Sequence, residues 1–307
     1  QWNGTRGAVT CLTRAEFEAG NYVVDATNSL VGSAVADFVG NAGITILTNG
    51  NYVVRSSNWA NGGATRAGAV TWVNGSTCIP ANESTRGAVV SATNSLVGTT
   101  TNDLIGNTSV TALTNGNYVV GSQSWNNGAI TTAGAVTWAD GTTGITGPVT
   151  TLNSLHGTTI TDGVGTFIIA LTNGNYVVRS FNWNNGGALD AGAVTWGDGT
   201  TGITGPVTSG NSLVGSTTND RVGGSSVTAL TNGNYVVASL NWSNGAITNT
   251  GAVTWADGTT GITGPVTTAN SLHGSTINDN VGFGVVALTN GNYVVRSSNW
   301  DDGGTAD

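Results

Sequence analysis

The string "TNGNYVVRSSNW", Thr48 to Trp59, recurs with few changes from Thr114, Thr172, Thr231 and Thr289. The leucines that precede the copies, Leu47, Leu113, Leu171, Leu230 and Leu288, stand 66, 58, 59 and 58 residues apart, so most of the chain is one unit repeated. Units of such a period bury their apolar faces against neighbours rather than each in a core of its own.

The unit reads most clearly in its third copy, Phe167 to Gly223. There "FIIALT" and "NYVVRSFNW" flank Asn173-Gly174, and Asn-Gly between β-rich runs signals a tight hairpin because both residues tolerate positive φ. "AGAVTW" (Ala191 to Trp196) reads as a third strand, Asp198-Gly199 as a second turn, and "ITGPVTSGNSLVG" as a fourth strand. Apart from a single turn expected near "RAEFEAG" (Arg14 to Gly20), no stretch has a helical apolar period.

A four-stranded antiparallel unit repeated with tight hairpins predicts an all-β chain, a single β-propeller domain over residues 1–307. Its blades fall at 41–106, 107–165, 166–223 and 224–282. The chain opens on a third strand, "RGAVTC" (Arg6 to Cys11), and stops after a second, at "NWDDGGTAD" (Asn299 to Asp307). The expectation is a fifth blade, with residues 283–307 as its first half and 1–40 as its second, closing the ring and covering both sheet edges. The same offset also suits strand exchange between molecules or a fragment of a longer array.

With 48 glycines but 38% hydrophobic residues, the chain can still bury a core. Every basic residue is Arg, and the formal charge is −8, a poor match for nucleic acid or anionic lipid. No apolar run approaches the roughly 20 residues of a membrane span. Cys11 and Cys78 do not form a metal motif. They are either bridged, which requires an oxidising compartment, or two buried thiols. The absence of Lys and Met, with abundant Gly, Thr and Asn, leans toward an extracellular or cell-surface chain.

The unit "D-x-V-G…ALTNGNYVVRSSNW…AGAVTW" resembles the FG-GAP repeat of integrin α-subunit propellers and of large bacterial haemagglutinin-like surface proteins. The Phe-Gly position of that family falls on Val39-Gly40, Ile105-Gly106, Val164-Gly165, Val222-Gly223 and Val281-Gly282, each following Asp37, Asp103, Asp162, Asp220 or Asp279 by two. The resemblance implies a propeller, not an activity. Its calcium sites are not carried over, because the loop here is only "TNGN" and has no carboxylates to supply the six to eight oxygens that calcium takes.

No cofactor, metal or catalytic residue is expected. His156 and His273 replace a valine in "NSLVG", without a nucleophile motif beside them. Two tryptophan sets recur. Trp72, Trp138, Trp196 and Trp255 end third strands, with Cys11 in the corresponding place at the N-terminus, and read as structural. Trp59, Trp125, Trp183, Trp242 and Trp300 end second strands beside Asn-rich turns and are the candidates for contact with glycans. With them go Asn58, Asn182, Asn241 and Asn299, and Arg55, Arg179 and Arg296 at one repeat position. The expected function is a non-catalytic extracellular binding or adhesion module, lectin-like, with glycans or surface proteins as partners. The alternative is a structural repeat module or assembly subunit that associates with itself. Partnership with nucleic acid and insertion into membranes are not expected.

Overall fold

The computed structural model describes residues 5–20 and 23–301; the last six residues of the "NWDDGGTAD" tail lie outside them. The N-terminal segment holds β1 (Ala8–Thr10), a five-residue helix α1 (Arg14–Glu18) and β2 (Ser29–Val31). The first complete unit holds β3 (Gly43–Ile46), β4 (Tyr52–Ser56), β5 (Ala69–Val73), the two-residue β6 (Ala88–Val89) and β7 (Leu96–Val97). The pattern then repeats, and the described residues form an all-β chain of six small sheets, with α1 where the sequence places a single turn.

The Asn-Gly turn fixes the register. β3 and β4 pair antiparallel with Ile46 opposite Tyr52, and Gly50 turns the corner at φ 86°. The Asn49 side-chain oxygen accepts from the Asn51 amide at 3.1 Å, so the turn holds itself closed. β5 adds antiparallel to β4, Val53 opposite Trp72, and β7 adds antiparallel to β5.

The expected fourth strand divides in two. Gly147–Pro148 leaves its own unit and pairs parallel with β7 of the preceding one, while Ser154–His156 pairs within its own unit. Gly205–Pro206, Gly264–Pro265 and β6 do the same. Proline lacks an amide hydrogen and is confined to sheet edges, which is where the piece carrying it lies. Successive units are therefore interlocked. The core lies between consecutive sheets: Val53, Val70 and Leu96 of one unit pack in a single buried cluster with Val110, Tyr118 and Val120 of the next.

The ends differ from the expected ring. Among the described residues β1 pairs only with β2, and the C-terminal hairpin (Gly284–Ala287 with Tyr293–Arg296) pairs only with itself. Among the described residues no ladder joins the two, and one edge of β1 and one edge of the C-terminal hairpin are unpaired.

Candidate functional site

The densest recurrent chemistry sits at the joints between units. The Gly141 carbonyl accepts from the Trp72 indole at 2.9 Å, the Asn49 amide at 2.8 Å and the Asn51 amide at 2.8 Å, all from the preceding unit. The Gly199 carbonyl receives Trp138, Asn115 and Asn117 at 2.8–2.9 Å, and the Gly258 carbonyl receives Trp196, Asn173 and Asn175 at the same separations. Three donors converge on one acceptor, so the Asn residues of the "TNGN" string are hydrogen-bonded to the next unit.

Beside each of these carbonyls the indole lies on a glycine. A β-carbon added at Gly144 would stand 2.6 Å from the Trp72 Cβ, and Gly202 and Gly261 meet Trp138 and Trp196 in the same way. These glycines also hold positive φ, 76° at Gly144. Any side chain there would be strained and would displace the ring.

At the first joint the tryptophan and glycine are both cysteine. Cys11 follows Ala8-Val9-Thr10 as Trp72 follows Ala69-Val70-Thr71. Cys78 donates its amide to the Asn74 carbonyl at 2.8 Å, as Gly144 does to Asp140, and it keeps the same left-handed backbone at φ 62°. Cys11 and Cys78 are bridged, their Cα atoms 5.8 Å apart. Sequence reading placed Cys11 at the tryptophan position but missed that Cys78 stands at the glycine. The signal was present: Cys78 lies four places after Asn74 as Gly144 lies four after Asp140.

The second tryptophan set is placed otherwise than a sugar platform requires. Trp59, Trp125, Trp183 and Trp242 are 3–5% exposed and packed within the core, which takes these four rings out of any ligand surface. Only Trp300, at 50%, shows a face. The indole N–H groups of Trp59, Trp183 and Trp242 have no acceptor, whereas the joint-forming indoles all do. Asn58 and Asn182 are half-buried, Asn241 and Asn299 exposed.

The arginines serve their own neighbourhoods. Arg179 donates to the Gly223 carbonyl at 2.8 Å and the Gly224 carbonyl at 3.0 Å, with its guanidinium 4.8 Å from the Phe167 ring centroid. Arg55 donates to the Ala42 carbonyl, and Arg296 lies over Phe283. Burial lowers the pKa of Arg55 and Arg179 from the ordinary arginine value.

The recurrent aspartates are buried and tie turns together. Asp103 accepts from the Thr99 and Thr100 amides at 2.9 and 2.8 Å and from the Asn126 amide of the next unit at 3.1 Å. Asp162 and Asp220 repeat the arrangement. Asp140, Asp198 and Asp257 hold the second turn, and hydroxyl and amide hydrogen bonds from Thr142, Thr200 and Thr259 draw their pKa values down. His156 stacks edge-on beside Trp125 with ring centroids 6.4 Å apart.

One groove breaks the repeat. Phe181, Arg221, Ser225, Leu240 and Asn241 line a cavity of about 170 Å³ between the third and fourth complete units, with Arg221 in an ion pair to Asp190 at 3.2 Å. It combines a cation, an amide and apolar walls. Among the described residues no group of three or more His, Cys, Asp or Glu is gathered as a metal centre, and no helix is long and apolar enough to cross a membrane.

Comparison with known families agrees with the repetition. A family model described as a repeat of unknown function (DUF5650) matches residues 1–41, 46–107, 112–166, 170–224, 229–283 and 287–307. The match supports a tandem repeat, but not the FG-GAP identity that the sequence suggests. No curated protein matches the chain.

Proposed function

We propose, for a chain that belongs to the DUF5650 family of repeats, that it is a non-catalytic scaffold of an extracellular or cell-surface protein, its sheets acting as blades of an open, propeller-like array. The observation that carries this reading is where the recurrent side chains go. Tryptophan and asparagine, the residues most apt for ligand contact, converge on the Gly141, Gly199 and Gly258 carbonyls of the next unit and fasten the array. The Cys11–Cys78 bridge supports a location outside the reducing cytosol.

If the units form one fastened array, they unfold together. Thermal unfolding followed by tryptophan fluorescence and by circular dichroism should give coincident transitions; separate transitions would contradict coupled units.

A second reading keeps the adhesion role and moves its site to the groove of Phe181, Arg221, Ser225, Leu240 and Asn241, whose mixed character suits a small polar ligand such as a glycan. A glycan array decides between them. Signal lost on Arg221→Ala or Asn241→Ala would favour the groove, and no signal would favour the scaffold.

A further inference from the structure

The described N- and C-terminal segments carry complementary halves of one unit. The N-terminus supplies the third and fourth strands (β1, β2), with β6 as their parallel neighbour. The C-terminus supplies a first-and-second-strand hairpin, Gly284–Ala287 with Tyr293–Arg296.

The faces of these two segments are also apolar, the receiving one more so than its internal equivalents. At internal joints the first strand of one unit lies face to face with that of the next, as the bond from the Thr45 hydroxyl to the Val110 carbonyl at 3.5 Å shows. The outgoing position is Thr45, Thr111 and Thr228 at three internal joints, Ile169 at the fourth, and Val286 in the C-terminal hairpin. The incoming pair is Val110 with Ala112, Ile168 with Ala170 and Val227 with Ala229 internally, but Ile44 with Ile46 at the N-terminus. Ile46 is 75% exposed, and Val294 is 52% exposed where its internal equivalents Val53, Val119, Val177 and Val236 are fully buried. Between the free edge of β1 and the β3 face lies a largely apolar cavity of about 320 Å³, lined by Val9, Cys11, Ile44, Ile46, Gly50 and Gly75 among others.

We infer that this cavity is the seat of the C-terminal hairpin of a second copy, so that molecules join head to tail by completing one shared sheet. The inference rests on the scaffold reading and extends it. The internal register of β4 on β5 transfers directly: Ser56 opposite Ala69, Arg55 opposite Val70 and Val54 opposite Thr71 become Ser297 opposite Ala8, Arg296 opposite Val9 and Val295 opposite Thr10 of the next molecule. Val286 then covers Ile44 and Ile46. Asn290 and Asn292 reach the Gly75 carbonyl, as Asn49 and Asn51 reach that of Gly141. Such a contact uses different surfaces on its two sides, and so propagates into rings or filaments rather than stopping at a dimer.

The test is a complementation experiment by analytical ultracentrifugation on the full chain. Wild-type protein should form concentration-dependent oligomers below about 100 µM, in the range of a moderate apolar interface. Ile46→Asp removes the receiving face and Val286→Asp the entering one. Each position is solvent-exposed, so circular dichroism should be unchanged while self-association weakens at least about tenfold. Mixed together, the two variants should recover association but stop at dimers, because each retains one good face.

A Val9→Cys/Arg296→Cys double variant should cross-link between molecules. Wild-type protein monomeric at about 100 µM, aspartate variants that still oligomerise like wild type, or a cross-link formed only within one chain would each overturn the inference. A monomeric chain that still unfolds as one cooperative array would overturn head-to-tail joining while leaving the scaffold reading standing.

Discussion

The first joint and the later ones place different chemistry at the same two positions. Between complete units, an indole lies on a glycine and donates to a neighbouring carbonyl, while the hairpins add the Thr48 hydroxyl on the Leu113 carbonyl at 3.2 Å and the Asn bonds around it. At the first joint, no described hairpin precedes β1 to make those contacts. What remains is the β2–β6 ladder, the ion pair of Glu16 with Arg86 at 2.5 Å and the disulfide. The covalent bond stands in the place that the indole and glycine take at the later joints.

The largest expected break in that comparison comes from reduction. Closing a loop between residues 67 apart is worth about 4 kcal/mol in the loop-entropy description, so a reductant should release the N-terminal sheet. Amide exchange at Leu30 and Val31 should accelerate sharply while the amides of Tyr176 to Ser180 stay protected.

Next comes Trp138→Ala, which removes a half-buried ring and one of three donors to Gly199. A loss of about 3 kcal/mol in urea unfolding is expected. Asn115→Ala should cost only about 1 kcal/mol, since Asn117 and Trp138 still serve the same carbonyl.

The smallest effect is that of pH. Hydrogen bonds from Arg86 and Thr13 hold the Glu16 pKa at about 2, below its ordinary value of 4.5, and those of Asp140, Asp198 and Asp257 are also depressed. Groups with a lowered native pKa stabilise fully above their unfolded values and lose that contribution as pH falls through the native ones. Melting temperature should therefore be flat from neutrality to about pH 5 and decline toward pH 2. A rise in stability on acidification would contradict the assignment.

Much of the fold was legible because its signals are local. Asn49-Gly50 and its copies mark hairpins through backbone freedom alone, and "RAEFEAG" announces α1 through a Thr13–Glu16 capping box. What stayed hidden depends on a partner. The Gly-Pro pairs read as part of a continuous strand, yet they cross to the preceding sheet, and a proline marks an edge position without saying which sheet it borders. Both tryptophan sets lie close before polar, turn-forming residues, so sequence could not say that Trp183 is buried while Trp255 is 45% exposed. Ring closure depends on a partner in the same way: complementary strands in two terminal segments do not say whether they meet in one molecule or between two.

The cysteine pair and the tryptophan–glycine pairs are one joint in two chemistries. The direct measurement is amide exchange on a Cys11→Trp/Cys78→Gly double variant under reducing conditions. The indole should lie on residue 78 and donate to the Gly75 carbonyl, so Leu30 and Val31 should remain protected where the reduced wild-type chain loses protection. Cys11→Trp alone, facing an intact side chain at position 78, should not achieve this. If the double variant exchanges as fast as the reduced wild type, the two joints are not equivalent and the account is wrong.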